Sequence, residues 1–183
     1  MSKSLDSIHL HPTKFIWKSK VSSKVKAFVW LVAHNKVNTN DMLQLTRPSK
    51  ALSLDWCMLC RGSGETSDHL FLHCPFTLGL WHRLFIQARM MWVQPRSYYD
   101  MLTIFYMASG NSTKGKTLWR IACLTLIWMM WQERNARIFE DKWRMFKTLW
   151  DLFYFFTSLC ASCTDDFKGI PLNVIQLIQY VHH

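Results

Sequence analysis

Acidic residues are scarce in this chain. Asp and Glu number 12 of 183 residues, against 22 Lys and Arg, and the formal net charge is +10. The twelve carboxylates nowhere cluster as a nuclease site would need. Long apolar runs are missing too. Ile121 to Trp131 is apolar on nearly every face apart from Thr125, but it spans 11 residues between Arg120 and Gln132. A bilayer span needs about 20, so this stretch reads as a buried helix. There is no phosphate-binding GxxxxGK[ST] loop, no nucleophile elbow, no internal repeat, no heptad array and no strand pattern of useful length. These absences leave an all-α protein with no recognisable catalytic centre.

Half of the residues are hydrophobic and 15% are aromatic, enough for a sizeable core. The length suits one domain, or a compact domain with a helical extension. The charge is uneven. Residues 1–50 hold eight Lys and one Arg against two Asp. A basic half of this kind fits a polyanionic partner, nucleic acid or an anionic surface; the plainer reading is a solvated basic face. Met1-Ser2-Lys3-Ser4-Leu5-Asp6 is polar and does not read as a signal peptide. The expectation is therefore a reducing compartment, nuclear or cytoplasmic, with no disulfides and no membrane partner.

Residues 1–14 are expected to be disordered. Phe15-Ile16-Trp17-Lys18 opens the ordered part, with Lys18 and Lys20 in an extended run. Ser22 and Ser23 are N-cap candidates for a helix to about Asn35. In it Val25, Phe28, Val29 and Val32 share a face, and Ala33 lies at its edge; Lys24 and Lys26 fall off that stripe. Lys36 follows the helix end. Asn38 and Thr39 cap a short helix carrying Met42, Leu43 and Leu45, and Arg47–Lys50 is a loop. Further helices are expected over 76–88, with Leu80, Trp81, Leu84 and Phe85 inward, and over 98–108, 118–139 and 143–160, the last interrupted by Asp151. Gln94–Ser97 is a boundary, and Gly110–Lys116 reads as a polar linker. Pro171 opens a last short helix with Val174, Leu177 and Ile178 as its stripe.

The chemistry concentrates between residues 57 and 74, in CMLCRGSGETSDHLFLHC. Cys57 and Cys60, two residues apart, can aim both sulfurs at one ion from a tight turn. His69 on the first turn of a following helix, and Cys74 about a turn later, can complete a tetrahedron of the kind Zn²⁺ prefers. Gly62 and Gly64 supply the positive φ that folding back over a metal needs. Glu65-Thr66-Ser67-Asp68 offers N-caps and first-turn acids. The fourth ligand is either Cys74 or His73, which stands at i+4 from His69. Cys74 is favoured because a thiolate binds zinc strongly and Pro75 marks a turn just after it. The plain alternative is a pair of buried thiols or a redox CxxC, which would want a preceding strand that is not there. Cys160-Ala161-Ser162-Cys163 is a second CxxC, but its downstream histidines are His182 and His183. It reads as small core residues at a helix end. Asp165-Asp166 is similar to the paired aspartates of a polymerase palm, but it lacks the aromatic two residues earlier, where Cys163 stands, and reads as a polar turn before Gly169. His34 and His82 lie on or near apolar faces and read as packed or solvated.

The run from Phe15 to Leu31, followed by Asp55 through Cys57, Cys60, Glu65, Asp68-His69-Leu70-Phe71-Leu72-His73-Cys74-Pro75-Phe76 to Trp81, resembles the zinc-binding domain downstream of the reverse transcriptase in plant non-LTR (LINE-type) retrotransposons. Trp128-Met129-Met130-Trp131-Gln132-Glu133-Arg134-Asn135-Ala136-Arg137-Ile138-Phe139 is similar to a tryptophan-and-"ERN" helix that often follows that domain. Ser22-Ser23 departs from it, since prolines are common there; serine still caps. The resemblance implies a zinc-binding unit over 15–95 and an aromatic-rich helical extension over 96–183. It implies a structural zinc and no polymerase or endonuclease chemistry in this chain. It also implies a role in holding element RNA or target DNA beside the reverse transcriptase domain of the parent element. Lys18, Lys20, Lys24, Lys26, Lys36 and Arg61 are the candidate phosphate contacts, and Trp17 a candidate for stacking on unpaired bases. The other reading is a protein-interaction module that docks a partner on the aromatic helices at 118–160.

Overall fold

The computed structural model describes residues 13–46, 56–107 and 112–170. The expected loop at Arg47–Lys50, the glycine opening the polar linker and the helix after Pro171 lie outside the described residues. The elements are helices α1 (Thr13–Trp17), α2 (Ser23–Ala33), α3 (Asn40–Thr46), α4 (Pro75–Gln87), α5 (Tyr98–Met107), α6 (Thr113–Phe139) and α7 (Phe146–Ser162). A π-helical turn, His69–His73, precedes α4, and a 3₁₀ turn, Asp165–Phe167, follows α7. Among the described residues there is no strand, only an antiparallel bridge between Trp56 and Gly64. The fold is all-α, and no described helix is long and apolar enough to cross a membrane.

The architecture is set by α6. At 27 residues and 1.5 Å per residue it is about 40 Å long. Ser112 caps it by accepting from the Gly115 amide at 3.0 Å. The supposed linker residues Thr113–Lys116 are thus its first turn. Its apolar middle is buried all round, as a helix without a polar face must be: Ile121, Ala122, Cys123, Leu124 and Ile127 are fully covered. Helices α2 and α7 pack against it, with α1, α4 and α5 around them. Aromatic pairs mark the seams. Phe28 of α2 meets Trp128 and Trp131 of α6 at 5.2 and 5.3 Å between centroids. Phe85 of α4 meets Trp119 edge-on at 5.2 Å. Such edge-to-face pairs add about 0.5–1.5 kcal/mol each beyond the area they bury. One buried apolar cluster runs from Phe15 to Phe167.

Several local expectations are corrected. Lys18 does not lie in an extended run: its amide bonds to the Lys14 carbonyl at 3.1 Å, closing the short helix α1, which buries Phe15 and Ile16. Helix α7 begins at Phe146, leaving Trp143 in the preceding loop, and it passes Asp151 without interruption because that carboxylate points to solvent and pairs with Lys147 at 3.3 Å. Of the aromatic residues in 118–160, Trp119, Trp150 and Phe153 are fully buried, Trp128, Trp131, Phe146 and Tyr154 pack half-buried against the core, and Phe139, Trp143, Phe155 and Phe156 are exposed. At the end of α7 Cys160 is partly and Ala161 fully buried, but Cys163 is exposed and is not a core residue. Asp166, in the 3₁₀ turn after α7, accepts from the Thr117 hydroxyl of α6 at 2.7 Å.

Candidate metal centre

The Cys57 turn is closed by backbone alone. The Cys57 amide donates to the Ser63 carbonyl at 2.7 Å, and the Arg61 amide to the Cys57 carbonyl at 2.8 Å. The fold-back uses a left-handed residue, but that residue is Arg61 (φ 59°), not Gly62 or Gly64. Arg61 bears this conformation with its guanidinium lying over the Trp143 ring, 4.1 Å from the centroid. The Gly62 amide points at the Cys60 sulfur, 3.5 Å away.

The second half of the site depends on helix pitch. In a regular α-helix five residues turn through about 500°, which would put Cys74 roughly 140° away from His69 and leave His73 on its face. The chain instead widens into a π turn. The Cys74 amide donates to the His69 carbonyl at 2.7 Å, an i→i+5 bond, and Cys74 then leaves the helix in an extended conformation, as a residue before proline prefers. The carbonyls freed by this change have partners. Thr77 Oγ1 donates to the Leu70 carbonyl at 2.7 Å and Trp81 Nε1 to the Phe71 carbonyl at 2.8 Å. Leu70, Phe71 and Leu72 are fully buried, which anchors the turn. At its start the Thr66 hydroxyl accepts from the His69 amide at 3.0 Å.

The outcome is a cluster of Cys57, Cys60, His69 and Cys74 whose donor atoms all lie within 4.8 Å of one another. Cys57 Sγ is 3.9 Å from Cys74 Sγ, and Cys60 Sγ is 3.3 Å from His69 Nε2. A zinc tetrahedron with Zn–S of about 2.3 Å and Zn–N of about 2.0–2.1 Å has S···S edges of about 3.8 Å and S···N edges of about 3.5–3.6 Å. The Cys57–Cys74 and Cys60–His69 spacings match such edges to within about 0.3 Å. His73 is turned elsewhere, its Nδ1 2.9 Å from Gln94 Nε2. The Cys57 thiol, donating to Cys74, holds Cys74 well below the usual thiol range against the cost of its burial, while Cys57 itself is pushed far up by that bond and by burial. His69 is pushed up by its bonding to the sulfurs of Cys74 and Cys60, against its own burial. A bound cation would take over the charge balance that these protons now keep.

The pairing of four charged residues behind the loop, Glu65, Glu133, Arg134 and Arg137, escaped the sequence reading. Glu65 is not a first-turn acid in solvent. It is buried and ion-paired with Arg134, Nη2 to Oε1 at 2.6 Å with Nε at 3.1 and 3.2 Å from its two oxygens. Arg134 also donates to Asn40 Oδ1 at 3.1 Å, and the Asn40 amide donates to Glu65 at 3.2 Å. One turn on, Arg137 donates from Nη1 to the carbonyls of Leu59 (2.9 Å) and Met58 (3.3 Å), inside the Cys57–Cys60 turn. Buried Glu133 holds Arg137 Nε at 2.8 Å. The signal was present as Glu133 and Arg137 at i, i+4, next to an apolar helix face, where charges are rare unless paired. Helix α6 thus grips the loop that carries two of the four candidate ligands.

The candidate phosphate contacts sit as follows. Lys18, Lys20, Lys24, Lys36 and Arg61 are exposed and Lys26 is half-buried. Lys24 lies over Trp128 at 5.3 Å and Lys36 over Trp30 at 5.7 Å. Trp17 is exposed. His34 and His82 are exposed, His34 with its Nδ1 2.8 Å from the Trp30 carbonyl.

Comparison with known proteins agrees with this geometry. Residues 3–81 match the family described as "zinc-binding in reverse transcriptase". The chain is 30% identical over 128 residues to an Arabidopsis thaliana protein named "Putative ribonuclease H protein", a match that covers 69% of this chain and 20% of that protein. The chain thus spans about a fifth of the length of the curated relative it matches. No solved structure matches it.

Proposed function

Because residues 3–81 carry a domain of the zinc-binding in reverse transcriptase family, we propose that this chain is a non-catalytic, zinc-stapled accessory module of a retrotransposon-derived protein, and that it holds element RNA or target DNA through backbone contacts. The observation that carries the proposal is the four-donor cluster inside the matched segment. Cys57, Cys60, His69 and Cys74 would hold the ion, and four protein ligands leave no position for a water nucleophile, so its part would be structural. Residues 15–95 form the zinc-binding unit in this proposal, and 96–183 the extension that completes its core. The match to part of a protein named for ribonuclease H supports a place within a longer, nucleic-acid-handling polyprotein. The reverse transcriptase domain of the parent element is the proposed protein neighbour.

Nucleic-acid contact rests on Lys18, Lys20, Lys24, Lys26, Lys36 and Arg61, none of which pairs with a carboxylate among the ion pairs found between described residues. Neutralising Z phosphates gives a log–log salt slope of about −0.9Z on duplex and about −0.7Z on single strands. Lys24→Gln with Lys26→Gln is expected to weaken binding similarly for all sequences and to reduce that slope by roughly one to two units. An unchanged slope would leave these lysines as a solvated face. The purified chain is expected to show neither primer extension nor plasmid nicking with Mg²⁺; either activity, abolished by a point change in this chain, would overturn the accessory role.

A second reading has one observation in its favour. Phe155, Phe156 and Leu159 of α7 are 52%, 40% and 40% exposed, a small apolar patch on which a protein could dock. Docking there would be nearly indifferent to salt, whereas phosphate binding is not.

A further inference from the structure

Between the start of α2 and the last turns of α6 lies an open groove of about 410 Å³. Lys24, Trp128, Gln132, Asn135, Glu140 and Arg144 are among the residues that line it. The volume falls within the range of small-ligand sites, and the lining combines an aromatic face, two amides, two cations and one carboxylate, which Lys142 pairs at 2.8 Å. We infer that this groove receives one unpaired nucleotide: the base against the half-buried Trp128 ring, its edge toward Gln132 and Asn135, its phosphate between Lys24 and Arg144. This rests on the nucleic-acid role proposed above and narrows it to single-stranded substrate.

Three features make the groove more than a gap between helices. Trp128 is held in place from below by Phe28, with their rings 5.2 Å apart. Its other neighbour is the Lys24 ammonium over the ring at 5.3 Å, a cation that a stacking base would displace toward the phosphate it carries. Arg144 is fixed in advance. Buried Glu133 accepts from its Nη1 at 3.0 Å and from its backbone amide at 3.1 Å. A guanidinium has five N–H donors, so this leaves several for a ligand. The same Glu133 orients Arg137, which bonds to the Met58 and Leu59 carbonyls of the candidate metal loop. The groove and the metal loop are therefore supported by one buried carboxylate. Amides rather than further cations on the wall suit a base edge, since Gln and Asn can both donate and accept.

Fluorescence anisotropy on the full, zinc-loaded chain tests this, with labelled single-stranded oligonucleotides and a duplex of the same length as probes. Gln132 is exposed, so Gln132→Glu should fold as the parent does while placing a negative charge beside the base edge and phosphate. The expected result is a loss of roughly tenfold or more on single strands, of the order that removing one base–aromatic stack gives, and less than about threefold on duplex. Trp128→Leu should lose as much on single strands, with its fold checked by circular dichroism, while Trp128→Phe recovers part. If Gln132→Glu leaves single-strand affinity unchanged while the parent binds, the groove is not the site and the accessory role stands. Equal losses on single strand and duplex would reduce the groove to a charged surface and overturn the base pocket. A parent chain that binds neither probe would remove the accessory role itself.

Discussion

The parent chain is expected to carry a single zinc ion, which Cys60→Ser and Cys74→Ser should each release and His73→Ala should keep. The ion would join the sulfurs of Cys57, Cys60 and Cys74 to Nε2 of His69, and the present spacings of 3.9 and 3.3 Å already suit it. The segment is otherwise held by a bridge between Trp56 and Gly64, two backbone bonds, the grip of Arg137, the Glu65–Arg134 pair and the burial of Leu59 and Leu70–Leu72. Structural zinc in finger-sized units supplies roughly 10–16 kcal/mol of apparent binding energy at neutral pH. Its loss should therefore melt residues 56–74 locally while α6 stays folded on its own apolar surroundings. Metal analysis together with hydrogen exchange would show this as one equivalent lost and as amide protection lost in the loop only. Zinc affinity should also fall as pH is lowered, because the ligands bind metal only when deprotonated. Retention of a full equivalent of zinc by both cysteine variants would dismiss the assignment. Loss on His73→Ala would move the fourth ligand.

The second large effect is expected far from any ligand. Arg134→Met would leave Glu65 as a buried carboxylate with no cation, and breaking one side of a buried pair costs about 3–5 kcal/mol. Glu65→Gln should cost a comparable amount by stranding Arg134, which is itself only 2% exposed. Because both variants break one network, the double variant should cost about as much as the worse single one rather than their sum. Urea unfolding of the three variants checks this. Costs that add, or single costs under about 1 kcal/mol, would show the pair to be dispensable.

The sequence made the site more legible than its supports. Cysteine chemistry announces itself: two thiols two residues apart have few other uses, and a following His and Cys narrow the geometry further. Helix periodicity likewise located α2, α4, α5 and α6, because amphipathic or wholly apolar runs bury in only one way. What periodicity could not supply was pitch. Cys74 was favoured over His73 on thiolate chemistry and Pro75, but the widening that brings Cys74 round to His69 depends on Thr77 and Trp81 accommodating the freed carbonyls from the next element. Nor could local pattern pair Glu65 with Arg134, 69 residues apart. A glutamate after a glycine loop looks like a cap until a partner arrives through the fold. Arg61 misled for a similar reason. Glycines nearby seemed the natural left-handed residues, yet the Trp143 stack lets an arginine fill that role.

The continuous apolar cluster from Phe15 to Phe167 has a bearing on how the chain can be cut. Evolution marks one segment, residues 3–81, as a recognisable inheritance. Physics does not respect that border. A fragment stopping at residue 95 would strip Phe28 of Trp128, Phe85 of Trp119 and Glu65 of Arg134, and expose greasy surface around a carboxylate with no counter-ion. Zinc alone would have to rescue such a stump, and it anchors only the loop. In this protein the matched segment and the smallest piece that keeps the buried cluster whole are different objects. Dissection by homology would thus deliver an aggregating peptide, whereas a cut placed after the 3₁₀ turn at Asp165–Phe167 would preserve everything the metal loop leans on.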